Sequence, residues 1–195
     1  MATERVIDRS LLRFAEEVKD RFSFFETLGF RCVRSEATFV RFESLGVSIN
    51  VYHGRRSFEI GLEIESAPSP IDAYSFSEIL RLVDSKQAQH YRDYATHTAQ
   101  GVAEGVRQLA ELFQLCMAAG ILNDKQLFSR LRLQREELGR NYALETQLEQ
   151  ARRKSEAAWQ KKDYEAVVKA LKPLRAALTA SEVGKLEFAE KRCVR

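Results

Sequence analysis

Three residues with metal-binding side chains, His90, Asp93 and His97, stand at spacings of three and four. On a helix that spacing puts side chains on one face, and Tyr94 falls beside them. Two imidazoles and a carboxylate meeting there could hold a divalent metal ion and support a metal-dependent enzyme. The ordinary alternative is a solvated face made by Gln89, His90, Arg92, Asp93 and His97. That alternative is preferred, because helical spacing alone produces many such triples. No metal and no other cofactor is therefore expected. GxxxxGKS/T, GxGxxG, GxSxG and HExxH are all missing, which removes the commonest phosphate-binding, hydrolase and metalloprotease signatures. The expectation is a protein that is not an enzyme.

A second group suits recognition. Arg55 and Arg56 adjoin at a turn beside Tyr52, within His53-Gly54-Arg55-Arg56. Two arginines there could grip a carboxylate or phosphate, or could simply keep a sheet end soluble. Glu59 and Glu63 follow on an alternating segment, and Tyr91 and Tyr94 lie further on. Tyrosine and arginine are enriched at the residues that dominate protein interfaces. Tyr52, Arg55, Arg56, Glu59, Glu63, Tyr91 and Tyr94 are thus the expected partner contacts. His53 is expected in the turn, as an ordinary polar residue.

Basic residues crowd the later helices: Arg130, Arg132, Arg135, Arg140, Arg152, Arg153, Lys154, Lys161 and Lys162. Glu136, Glu137, Glu145, Glu149, Glu156 and Asp163 are interspersed, as on a salt-bridged, solvated helix. Over all 195 residues, 31 Lys and Arg face 28 Asp and Glu, a formal charge of +3. Phosphate binding needs clustered positive charge, so nucleic-acid binding is only weakly supported.

The elements that must carry these groups follow from hydrophobic spacing. Ile7, Leu11, Phe14, Val18, Phe22 and Phe25 form one apolar stripe, giving a first helix that Gly29 can end. The period then falls to two. Val47, Ile49 and Val51, then Phe58, Ile60, Leu62 and Ile64, alternate with polar residues. Phe30 to Glu65 reads as an antiparallel meander of four strands, with one dry face for the first helix to cover. Its joints fall near Glu36-Ala37, Ser44-Leu45-Gly46 and His53-Gly54-Arg55-Arg56. Ser66-Ala67-Pro68-Ser69-Pro70 marks a boundary, after which the pattern is helical. Ser75-Phe76-Ser77-Glu78 and Thr179-Ala180-Ser181-Glu182 are capping boxes. Between them lie a helix from Val102 to Cys116, one with Leu127 and Leu131 capped by Asn123, and a polar one from Tyr142 to Trp159. Asp163 opens another. The expected class is α+β: an N-terminal helix on a four-stranded antiparallel meander over residues 1–66, then a helical region over 67–195 packed on it as one compact unit.

Cys32, Cys116 and Cys193 are three widely spaced cysteines without a CxxC pair, so neither a zinc ribbon nor a dithiol redox motif assembles. Cys32 and Cys116 have apolar neighbours and read as small buried hydrophobes. A reduced, cytoplasmic setting is expected, without a signal peptide or a membrane span.

Two resemblances add to this. Ser155 to Pro173 resembles one tetratricopeptide-type helical hairpin, with Ala158 and Trp159 on the first helix, Asp163 and Tyr164 at the turn, and Ala166, Val167 and Leu171 on the second. Lys162 departs from it, standing where that family usually has glycine, and a single unit makes no array. More of the chain, Phe22 to Glu190, is similar to a loose group of small bacterial proteins of immunity-protein type. The features that carry this are Phe24-Phe25 with Leu28-Gly29-Phe30, Val47 to Tyr52, Arg56 to Ile60 and Tyr74 to Leu80. The resemblance implies binding to a protein partner, a toxin or another regulated protein, and carries no catalytic residue. It leaves the partner's identity and the oligomeric state open.

Overall fold

The computed structural model describes residues 8–44, 46–66 and 73–193. The chain divides into two compact units, Met1–Leu133 and Gln134–Arg195, each with its own apolar cluster. The class is α+β: helical segments at the start, an antiparallel sheet, then helices.

In the first unit the expected N-terminal helix is broken. Ile7 lies outside the described residues. Asp8 accepts a hydrogen bond from the Ser10 N–H and opens a 3-10 turn over Arg9–Leu12. The turn ends at Arg13, whose backbone is left-handed (φ 54°). Only then does α1 (Phe14–Arg21) begin, followed by the short α2 (Phe24–Thr27). The break rotates the stripe. Phe14, Val18, Phe22 and Phe25 stay buried, but Leu12 goes into the core in place of Leu11, which is 72% exposed. Gly29, at φ 80°, ends the segment as expected, and the Phe30 N–H donates back to the Phe25 carbonyl at 3.0 Å.

The meander is formed by β1 (Arg31–Glu36), β2 (Phe39–Ser44), β3 (Val47–His53) and β4 (Glu59–Ser66). Two short strands, β5 (Ala73–Ser75) and β6 (Tyr94–Ala95), pair with the other side of β4. Register places Phe42 opposite Ile49 and Ile49 opposite Ile64. It likewise places Val40 opposite Val51 and Val51 opposite Leu62. All six side chains therefore share the dry face. Against it pack α1, α3 (Phe76–Val83) and α5 (Ala99–Ala118). Phe25 joins the layers, with ring centroids 5.0 Å from Phe42 and 5.6 Å from Phe113. The Glu78 carboxylate accepts from the Ser75 N–H at 2.9 Å, as the first capping box requires.

Ile79 and Leu80 of α3, with Val102, Val106, Leu109 and Phe113 of α5, belong to the same cluster as the strands. The division between units therefore falls at Leu133–Gln134, and not at residues 66/67. Leu45 and Ala67 to Pro70 lie outside the described residues. Cys32 is exposed, because β1 buries none of its side chains, whereas Cys116 is buried and its thiol is pushed up to about 11 by burial.

The two helices expected between Asn123 and Trp159 are one, α6 (Leu127–Gln160). Asp124, rather than Asn123, shapes the turn that leads into it, with Oδ1 accepting from the Gln126 N–H at 2.8 Å. In the second unit Ala151 and Ala158 of α6 pack with Val167 and Leu171 of α7 (Tyr164–Leu171) and with Leu186 and Ala189 of α8 (Ala180–Cys193). Asp163 caps α7 through the Ala166 N–H at 3.0 Å, and Thr179 with Glu182 forms the second capping box. No helix among the described residues is long and apolar enough to cross a membrane.

Candidate functional site

Strand alternation sends Ser48, Asn50 and Tyr52 of β3 to the face opposite the core. Arg41 and Glu43 of β2, with Gly61, Glu63 and Glu65 of β4, are their cross-strand neighbours. Arg41 organises the middle of this face. Its Nε donates to Glu43 at 2.7 Å, and its terminal nitrogens donate to Glu65 at 2.8 Å, Ser48 at 2.9 Å and Asn50 at 3.2 Å. Asn50 completes the set by donating Nδ2 to Glu65 at 2.7 Å. Burial opposes the Arg41 charge, but the hydrogen bonds to Glu43 and Glu65 outweigh it, so its pKa is raised. The result is a planar cation held rigidly on a sheet, flanked by carboxylates.

Beside this network lies an acidic corner. The Tyr52 ring lies across Gly61, where a Cβ would come 2.5 Å from it. Burial first, then Glu63, Asp93 and Glu59, pushes the Tyr52 hydroxyl up to about 12. Glu63 is raised as well, by burial, Glu65 and Glu78, all acting in the same direction. Tyr91 reaches the same corner: its ring packs edge-on against Phe76 at 5.1 Å, and its hydroxyl donates to Asp93 Oδ1 at 2.8 Å. Burial, then Asp93, raises the Tyr91 hydroxyl pKa.

Of the expected contacts, the fold thus gathers Tyr52, Glu59, Glu63 and Tyr91, and adds Asp93. Arg55 and Arg56 are exposed in the turn after β3. Tyr94 is elsewhere. It pairs with the core-facing Ile60 and abuts Gly105 of α5, on the helix-covered side of the sheet.

No family model, no curated protein and no solved structure matches this chain.

The metal-binding trio does not assemble. Asp84 caps α4 (Ser85–His90) by accepting from the Lys86 and Gln87 N–H groups, and Tyr91 leaves the helix with extended backbone to bury its ring. His90 is therefore the last helical residue, Asp93 lies in a loop and His97 in a bend, so the shared helical face does not exist. His90 Nδ1 donates to the Lys86 carbonyl at 2.9 Å, Asp93 accepts from Tyr91, and the His97 ring packs edge-on against Phe58. Among the described residues no three His, Cys, Asp or Glu are grouped to hold a metal.

His53 is not a turn residue either. It ends β3 on the core face and is 1% exposed. Arg9 can only donate, so the contact at 3.0 Å makes His53 Nδ1 an acceptor, and Nε2–H donates to the Thr96 carbonyl at 2.8 Å. Arg9 also donates to the carbonyls of Gly54 and Arg55 and lies 4.0 Å over the Phe58 ring. This neutral imidazole ties the N-terminal turn, the β3–β4 turn and the entry to α5 together, a structural clamp.

Part of the charge on the basic helices is paired within the chain. Arg130 meets Asp124 at 2.6 Å, Arg152 meets Glu182 at 2.6 Å and Lys185 meets Glu156 at 2.7 Å. The last two pairs line a groove of about 710 Å³ between α6 and α8 and use its charges internally. The sequence places Asn50 on the wet sheet face, but Arg41 and Glu65 were missed. Their signal was the alternation itself: polar residues at matched cross-strand positions, on a face that buries Ser48 and Asn50.

Proposed function

We propose that this chain is a non-catalytic protein-binding protein of the immunity type, which blocks a bacterial toxin by stoichiometric association. The contact is the outer face of the sheet around Tyr52. The observation that carries this reading is Glu63. The chain holds this carboxylate half-buried beside Glu65 and Glu78, and every shift acting on it disfavours its charge. Folding alone would favour a neutral side chain there. A counter-charge on a partner gives that carboxylate a use, and Tyr52, set rigidly over Gly61, supplies the large aromatic surface that interface centres favour. The adjoining Arg41 network is already ordered, so little side-chain freedom is lost on binding. The partner's matching patch is accordingly basic with an apolar centre.

The test is protection in cells. A toxin encoded beside this gene is expressed with and without the wild-type chain, and with the Tyr52→Ala/Glu63→Lys variant. Survival with the wild type and death with the variant, at equal folded levels, is expected. Equal survival with both, or none with either, removes the sheet face from the account.

A further inference from the structure

The stretch 135–147 of α6 buries no side chain, although Leu138, Tyr142 and Leu144 in it are 41%, 74% and 38% exposed. An isolated helix of this length is marginal in water, because helices in proteins draw their stability mainly from a packed face. Large apolar side chains grouped on a surface mark a contact. Spacing decides which residues act together. Arg135, Leu138, Tyr142 and Glu145 follow at three, four and three residues and share one side of the helix, whereas Leu144 falls on another.

Read along the helix, that side is basic, apolar, apolar, acidic. It is its own complement when a second copy runs antiparallel. Leu138 then meets Tyr142 of the second copy, and Arg135 meets Glu145 of the second copy, each contact occurring twice about a twofold axis. Parallel pairing would instead set arginine against arginine. Gly139 lies next to the midpoint, with open space where a Cβ would stand, and lets the two backbones approach. Within one chain Arg135 and Glu145 are about 15 Å apart along the helix and cannot meet. We infer that the chain forms a symmetric antiparallel dimer through this side of α6, its occupant being a second copy of this chain. Dimerisation is independent of the sheet face, and its failure leaves the toxin-binding reading untouched.

The experiment is sedimentation of the full chain over a wide concentration range, with helix content followed by circular dichroism. The wild type should rise towards twice the mass of the chain. Leu138→Lys/Tyr142→Lys should stay monomeric with unchanged helix content. Arg135 also has an interaction within its own chain, so the decisive pair is a charge exchange. Arg135→Glu alone should weaken the dimer at least tenfold, and Arg135→Glu/Glu145→Arg should restore it, although the second change cannot repair anything within one chain. A wild type that is monomeric throughout, a dimer indifferent to the lysine pair, or an exchange that fails to restore association overturns the inference.

Discussion

Glu63 and His53 lie on opposite faces of the same sheet and answer to different demands. Glu63 is a carboxyl whose pKa is raised by burial, Glu65 and Glu78, so its charged form is disfavoured in the folded state. Removing the charge should therefore stabilise the fold at neutral pH. Glu63→Gln is expected to add a few tenths to about 1 kcal/mol in urea denaturation while weakening capture of the partner, and a loss of stability would contradict this. At His53, burial lowers the pKa below the ordinary 6.5, and the Arg9 charge acts in the same direction against the hydrogen bond to Thr96. The neutral ring is the folded form. Its contribution is complete above pH 6.5 and is lost as pH falls from there through the folded value. Denaturation midpoints measured from about pH 8 down to about pH 5 should fall for the wild type. In His53→Asn that portion of the slope should disappear; an unchanged slope would mean another group is responsible. Glu63 is already among the contacts expected from the sequence, whereas the clamp at His53 is not legible there. His53 stands beside Gly54 and two arginines, and local composition cannot tell the last residue of a strand from the first of a turn.

Most elements could be read from the chain because one period dominated each of them. β3 and β4 alternate cleanly, and α5 repeats Val102, Val106, Leu109, Phe113 and Cys116 on one side. Where two patterns overlap, the reading split. In α6, Leu127, Leu131, Leu138 and Tyr142 follow one stripe, while Leu133, Leu144, Leu148 and Ala151 follow a second on another side. Two stripes cancel the periodic signal, so the spacing suggests two helices where a single one of 34 residues forms. The opposite error occurred at the N-terminus, where one stripe concealed the left-handed break at Arg13. A similar backbone strain marks the turn between α6 and α7. Lys162 is left-handed at φ 57°, the position where glycine was expected from the helical-hairpin resemblance. Glycine adopts this conformation without the cost a side chain incurs. Lys162→Gly should stabilise the second unit by about 1 kcal/mol, read as a higher urea midpoint, and a lower midpoint would show that the lysine side chain supports the turn.

For the molecule as a whole, the α+β class followed from its periodicities, but the partition into units did not. A Pro- and Ser-rich segment looks like a boundary, yet α3 and α5 beyond it complete the core that the strands begin. The second unit builds its own smaller core around Val167, Leu171 and Leu186, with Trp159, Tyr164 and Phe188 as a ring cluster beside it. Into the first unit the fold sets a feature that packing does not explain: a rigid, mixed-charge sheet face with an acidic corner around Tyr52. Binding of a protein to that face is the central claim. Its most direct measurement is quantitative affinity capture from the native host with three forms of the full chain: wild type, Tyr52→Ala/Glu63→Lys, and Arg55→Ala/Arg56→Ala in the turn. The account predicts a stoichiometric protein partner on the wild type, its loss from the sheet-face variant, and at most a modest reduction with the turn variant. Equal recovery of that partner by the wild type and the sheet-face variant, or no stoichiometric partner on the wild type, would contradict it.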